Sequence, residues 1–222
     1  MEIGRLPNES TGYRRLRDEL RDAEIALRDQ RERVAELRRR LPLETAIEDQ
    51  SFEEIRDGAR VPVRLSELFD DPEKTLVLMQ FMYGKKQDKP CPMCTLWADG
   101  YAGIVEHLRQ RVNFAVLVAG DVGTFGDYAR SRGWGTLRVV SAASSDLKRR
   151  IGFETADGSQ MPGVSVFRRE GVRIIHTYSA CAELAEGQAR GMDLLSPFWH
   201  FLDLTPEGRG DFFPQRSYDD RR

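Results

Sequence analysis

No uninterrupted apolar run in this sequence approaches the roughly 18 residues that a membrane-crossing helix needs, so no membrane segment is expected. The opening residues, Met1 to Ser10, lack the basic and apolar regions of a secretory signal, and a cytoplasmic location is expected. A formal charge of −2 gives no general attraction to nucleic acid or to an anionic surface, and neither is expected as a partner. Cysteine and histidine are both scarce, three of each in 222 residues. Three cysteines in a reducing compartment are not a disulfide framework. No second Cys-x-x-Cys and no His-x-x-x-His completes a zinc site around the one close pair. Gly120-Asp-Val-Gly123 lacks the Gly-Lys-Ser/Thr ending of a phosphate loop. No metal and no organic cofactor is therefore expected.

What the chain does have is one apolar stretch, Thr75-Leu-Val-Leu-Met-Gln-Phe-Met-Tyr-Gly84, that empties into a charged loop and then Cys91-Pro-Met-Cys94. The stretch reads as a central strand buried on both faces, and the cysteines fall where a helix should begin. A helix N-terminus carries partial positive charge and unsatisfied N–H groups. A thiol placed there ionises more readily, and the thiolate is the reactive form. The spacing sets Cys94 one turn behind Cys91, within reach of a mixed disulfide on the first sulfur.

From Tyr13 to Leu41 there is no Gly and no Pro. Tyr13, Leu20, Leu27, Val34 and Leu41 take one seam position of a heptad, and Leu16, Ala23, Gln30 and Leu37 the other. Glu24–Arg28, Asp29–Arg33 and Glu36–Arg40 are favourable pairs four apart, and Pro42 ends the helix. The narrow seam suits one partner helix or a groove on the same chain, and a homodimer through this helix is expected ahead of packing on its own domain.

Ala59 to Phe69 reads as a short strand and a helical turn begun at Ser66. Val112–Ala119 and Thr136–Ser141 read as further strands, with helices over Trp97–Arg111, Asp121–Arg132 and Ser144–Ile151. That alternation implies a parallel sheet with helices on both faces. Gln160 to Tyr178 reads as a hairpin around an Arg-Glu-Gly turn, and Pro162 at its entrance is a candidate cis peptide. A helix or two follow Glu183, then a solvated tail from Ser217. Trp97, Trp134 and Trp199 read as core, Asp99, Tyr101 and Glu106 as surface, and Cys181 as a small buried apolar residue. The expected domains are a helical arm over 1–42, a main domain over 43–181 and a C-terminal helical extension and tail over 182–222.

Leu65-Ser-Glu-Leu-Phe69, the strand to Tyr83, the Cys-Pro-Met-Cys pair and Met161-Pro-Gly-Val-Ser-Val-Phe167 fall in the order seen in thioredoxin-like proteins of the peroxiredoxin and membrane-anchored thiol reductase type. More closely, the chain resembles the thioredoxin-like family catalogued as domain of unknown function 899. The shared features are the long charged N-terminal helix, the pair, the hairpin, His176-Thr-Tyr-Ser179, and an ending of Ala189-Arg190-Gly191 with Leu202 to Arg209. The resemblance covers most of residues 13–213. It implies an α/β fold, a thioredoxin-like central mixed sheet flanked by helices. Cys91 then matches the attacking cysteine, Cys94 the resolving one, and Pro162 a cis-proline facing them. Met161 matches the residue whose backbone offers a substrate peptide an extended partner. Pro92 and Met93, between the cysteines, complete the expected substrate-binding set. The chain departs from thioredoxin in having Pro90 rather than Trp before Cys91 and a longer, more charged loop. No acid lies inside the preceding strand, where thioredoxin keeps a buried carboxylate; Asp88 and Glu106 are the nearest in sequence.

The function expected is thiol–disulfide exchange, with a protein or small-molecule disulfide and a thiol reductant as partners. A thiol peroxidase is a second reading, although the threonine of a Pro-x-x-x-Thr-x-x-Cys setting is missing ahead of Cys91. A copper or zinc delivery module is a third, with His176, Cys181 or His200 supplementing the two thiolates. A scaffold with idle cysteines is the fourth.

Overall fold

A computed structural model describes residues 7–218 of the chain. The chain divides into two compact units, residues 1–42 and 43–222. In the first, the seam residues lie on a single helix α1 (Thr11–Arg39), capped by Ser10, whose hydroxyl accepts from the Tyr13 N–H at 3.1 Å. The helix stops three residues ahead of Pro42, as a proline requires. None of its residues is buried. Of the three ion pairs expected four apart, Arg40–Glu36 forms at 3.2 Å. Arg28 instead takes the adjacent Asp29, Arg33 bonds Gln30, and Glu24 meets Arg17. At this exposure such pairs contribute little, so the solvated side chains choose partners freely.

The second unit is built on one eight-stranded sheet. Its strands are β1 (Ala46–Ile47), β2 (Ser51–Arg56), β3 (Ala59–Arg64), β4 (Leu76–Gln80), β5 (Asn113–Val118), β6 (Val139–Ser141), β7 (Gly163–Glu170) and β8 (Arg173–Cys181). Their spatial order is β1-β8-β7-β4-β5-β6-β2-β3. β4, β5 and β6 run parallel; the other pairings are antiparallel, so the sheet is mixed. The helices are α2 (Pro92–Arg109), α3 (Val122–Ser131), α4 (Leu147–Arg150) and α5 (Pro197–Asp203). The expected boundary after Cys181 falls inside this unit.

The central strands are apolar on both faces because each face supports a core. Along β5, Phe114, Val116 and Val118 join one cluster with α2 and α3, while Ala115 and Leu117 join another with Phe52, Leu65 and Leu147. The first cluster is aromatic: Phe81 meets Phe125 edge-on at 4.8 Å between centroids. All three tryptophans are buried, as expected.

Pairing between the β4 and β5 segments runs past their ends, through Phe81 N–Leu117 O at 3.0 Å and Ala119 N–Tyr83 O at 2.9 Å. It stops where two glycines cross. Gly84 has a φ of +103°, and a Cβ there would lie 2.0 Å from the Gly120 nitrogen. A Cβ on Gly120 would lie 2.8 Å from the Gly84 Cα and closer still to the Tyr83 ring. Only bare backbone fits at this crossing, which aims the loop after β4 toward α2. Gly120→Ala is expected to destabilise the protein by about 1–3 kcal/mol through this overpacking. Urea denaturation followed by tryptophan fluorescence measures it, and an unchanged midpoint contradicts the account.

Candidate active site

The loop from Gly84 to Pro90 begins with a tight turn, Gly84 and Gln87 exchanging backbone hydrogen bonds at 2.7 and 3.0 Å. It returns so that the Cys91 N–H donates to the Met82 carbonyl at 3.2 Å. Cys91 is the N-cap of α2 with extended backbone (φ −66°, ψ 128°), and Pro92 follows at the first helical position, where its missing N–H costs nothing. Thr95 closes the first turn, its N–H and hydroxyl both donating to the Cys91 carbonyl at 2.9 and 3.0 Å. The expected placement of the pair at a helix entrance is therefore what the backbone adopts.

The two sulfurs differ sharply in setting. Cys91 is half-buried and Cys94 fully buried, and both are free thiols. The Cys94 thiol, donating toward the Cys91 sulfur, lowers the Cys91 pKa to about 6 against the opposing effect of burial. The Met93 and Cys94 N–H groups and the Arg216 guanidinium lower it further. Cys94 moves the other way. Burial pushes its thiol well above the ordinary range and the Cys91 sulfur adds to that, against the Met82 N–H and Lys148.

Beneath the pair lie groups that the sequence reading passed over. Lys148, on α4, is 1% exposed, and its Nζ donates to Gln80 Oε1 at 3.2 Å. Gln80 ends β4 and is itself fully buried; its Nε2 donates to Ser165 Oγ at 3.2 Å. Glu154 is buried and grips Lys85 of the loop at 2.6 and 2.7 Å, with Arg149 at 2.9 Å and Gln160 Nε2 at 3.2 Å. Burial opposes ionisation of Glu154, but Lys85, Gln160 and Arg149 hold its carboxyl below the usual range. Tyr101, expected on the surface, is 7% exposed and belongs to the same cluster as Cys94. Its phenol is pushed upward by burial and by the nearby Cys94. The helical period carried that signal, since Cys94, Ala98, Tyr101 and Val105 share one buried face of α2. Lys148 gave none, because it opens a run of three basic residues.

A groove of about 450 Å³ opens beside Cys91, walled by Lys86, Lys89, Pro90, Pro92, Gln160 and Arg216 among others. Of the expected substrate-binding residues, Pro92 lines it; Met93 packs against the core cluster. The groove is lined by the two residues that flank Cys91, Pro90 and Pro92, and a larger cavity of about 650 Å³ lies along Leu96, Asp99 and Gly100 of α2; neither is lined by a cysteine.

The hairpin entrance corrects one expectation. Among the described residues there is no cis peptide bond, so the bond before Pro162 is trans. The chain runs directly into β7, with the Met161 N–H donating to the Phe153 carbonyl at 3.0 Å and the Pro162 carbonyl accepting from Ala182 at 3.4 Å. Register still sets Pro162 one residue beyond the Gln80–Gly163 pair, next to the strand that leads to Cys91. Met161, though, has its N–H engaged within the chain. Cys181 is a second correction: it is exposed, as the last residue of β8. His176 lies within β8 and bonds Ser179 Oγ at 2.8 Å, and His200 lies on α5. Among the described residues no three His, Cys, Asp or Glu side chains converge on one point, so the metal reading finds no third ligand.

Only a thiolate is alkylated. Iodoacetamide labelling of Cys91 in the reduced protein is expected to reach half its limiting rate at about pH 6, with Cys94 unlabelled at pH 8. Timed labelling and peptide mass spectrometry check this, and a midpoint near the ordinary 9.0 contradicts the site. Because the folded-state pKa is depressed, the stability that Cys91 contributes is complete above pH 9 and is lost as pH falls through 6.

None of the curated proteins matches this sequence. Among solved structures, the mitochondrial 2-Cys peroxiredoxin from Plasmodium falciparum is similar over 69% of this chain and 90% of its own, with a TM-score of 0.50 at 11% identity. Another peroxiredoxin structure is similar over 64% of this chain and 84% of its own, with a TM-score of 0.50 at 12% identity. At such identity the likeness shows the fold, which is thioredoxin-like. The family pattern described as "Bacterial protein of unknown function (DUF899)" matches residues 5–220. This chain belongs to that family.

Proposed function

We propose that the protein is a thiol–disulfide oxidoreductase in which Cys91 attacks and Cys94 resolves. The observation that carries this reading is the inequality of the two sulfurs, one acidic and half-exposed at the mouth of α2, the other buried a turn behind it. The Cys91 thiolate attacks a disulfide R–S–S–R; one sulfur leaves as RS⁻ and the other joins Cys91 as a mixed disulfide. Cys94, deprotonated, attacks Cys91 Sγ, the Cys91–SR bond breaks, and a second RS⁻ leaves. Two electrons pass to the substrate and the enzyme is left with a Cys91–Cys94 disulfide. A thiol reductant then reverses the sequence. Lys89 and Arg216 outnumber the one carboxylate at the groove, Asp88, and favour an anionic group on the substrate.

In a Cys181→Ser background, which removes the exposed third thiol, Cys94→Ser is expected to accumulate a stable mixed disulfide on Cys91 after treatment with 5,5′-dithiobis(2-nitrobenzoate), releasing one thionitrobenzoate per chain where the parent with both Cys91 and Cys94 releases two. Cys91→Ser is expected to lose reductase turnover by at least a hundredfold. Two equivalents released by Cys94→Ser contradict the resolving role.

We also propose that α1 pairs with α1 of a second copy. Leu16, Leu20, Leu27 and Leu37 lie on its seam and each is more than half exposed. Sedimentation equilibrium is expected to give a dimer that Leu20→Glu with Leu27→Glu converts to monomer; a monomeric wild type overturns the pairing.

A further inference from the structure

Two positive side chains at the groove beside Cys91 have no carboxylate of their own. Of the cations that wall it, Lys86 is held by Asp157 at 2.5 Å, whereas neither Lys89 nor Arg216 is ion-paired with another described residue. Lys89 belongs to the loop that leads into Cys91, and Arg216 arrives from the far end of the chain. They share the groove with Pro90 and Pro92, on either side of the attacking sulfur, and with the lone acid Asp88.

The position of Arg216 is fixed through its backbone, which leaves its side chain without a structural task. Its carbonyl accepts from Arg132 Nη1 at 3.0 Å. Two residues on, the Tyr218 hydroxyl donates to Asp99, and the Tyr218 ring lies against the Arg132 guanidinium at 4.3 Å. Asp99 is held in turn by Arg132 at 2.5 Å and by Trp134 Nε1 at 2.8 Å. The Arg132 side chain is 8% exposed, so the anchor is buried while Arg216 itself is exposed at the groove. A guanidinium set out in this way offers a carboxylate a matched two-point contact. The groove, about 450 Å³, has the size of a small-molecule site.

We propose that the disulfide reduced here is a small molecule carrying carboxylates, and that Arg216, with Lys89, is the specificity-determining residue that holds one of them. This rests on the exchange reading and narrows its substrate. The Cys91 thiolate attacks one sulfur of the dicarboxylate disulfide; a new S–S bond forms to Cys91, and the other half leaves with the electron pair as its thiolate. The half that stays bonded lies in the groove with its carboxylate at Arg216, until Cys94 displaces it as a second thiolate.

Three disulfides of similar size and different charge test this on the reduced full-length protein in the Cys181→Ser background: 3,3′-dithiodipropionate (anionic), bis(2-hydroxyethyl) disulfide (neutral) and cystamine (cationic). Formation of the Cys91–Cys94 disulfide is timed at pH 8 by acid quench and mass spectrometry, with Arg216 present and in Arg216→Gln. The rate with Arg216 divided by the rate without it removes the intrinsic reactivity of each reagent. That quotient is expected to be at least about threefold larger for the anionic disulfide than for the neutral one, the worth of an exposed ion pair, and smaller again for the cationic one. Arg216→Lys is expected to keep the order, and about 1 M sodium chloride, which cuts the screening length to about 3 Å, to flatten it. Equal quotients for all three disulfides, as a purely structural role or an effect on the Cys91 sulfur alone would give, overturn the proposal and leave the exchange reading standing. A parent protein that forms no Cys91–Cys94 disulfide with any of the three overturns the exchange reading itself, and the role of Arg216 with it.

Discussion

The hydrogen bond from the Cys91 N–H to the Met82 carbonyl ties the start of α2 to the strand-like extension of β4, and the chemistry of the pair follows from that tie. It holds Cys91 at the cap position, where the N–H groups of the first turn face its sulfur. It also turns the opposite face of the helix, Cys94 with Ala98 and Tyr101, into the aromatic core. One side of a single helical turn is thus wet and electropositive while the other is dry. The first-turn N–H groups favour the Cys91 thiolate, and the docking widens the difference by burying Cys94.

Around that helix entrance the sheet acts as a rigid frame. β4 is flanked by a parallel neighbour, β5, and an antiparallel one, β7, so its end cannot shift without breaking two ladders. The glycine crossing fixes the loop on one side and the Glu154 cluster fixes it on the other through Lys85. At the sheet edge, Glu54 is buried where an apolar residue would serve packing equally well, and Arg138 from the loop before β6 meets it at 2.8 Å. Burial works against that carboxyl, yet Arg138 and Arg56 hold it below the usual range. That pair joins β2 to the parallel strands and fixes which edge the β2–β3 hairpin occupies.

The parts of the fold legible in the sequence are those where burial alone decides the pattern. Leu76 to Gln80 and Asn113 to Val118 are apolar on both faces because both faces are covered, and the seam of α1 repeats because a helix repeats. β2 was not legible. Ser-Phe-Glu-Glu-Ile-Arg puts a carboxylate at an inward position, so its alternation reads as polar until Arg138 is seen opposite. α4 is one turn where a helix from Ser144 was expected, because Ser145 is held in a turn instead, its N–H donating to the Ala142 carbonyl at 3.0 Å and its hydroxyl to Gln50 at 2.7 Å. The cysteine pair was legible from spacing. The buried amine behind it was not, since Lys148-Arg149-Arg150 looks uniformly solvated and only tertiary packing selects which of the three turns inward.

The segment from Pro214 to Tyr218 lies against this same site. The Arg132 guanidinium donates to the Arg216 carbonyl at 3.0 Å and stacks over the Tyr218 ring at 4.3 Å, while the Tyr218 hydroxyl reaches Asp99 on α2. The clasp delivers the Arg216 charge to Cys91. The reactivity of a sulfur at position 91 is thereby coupled to whether a stretch of chain 125 residues further on is seated. An affinity tag, a protease nick or a bound chaperone at that distant stretch would shift the acidity of that thiol without touching it.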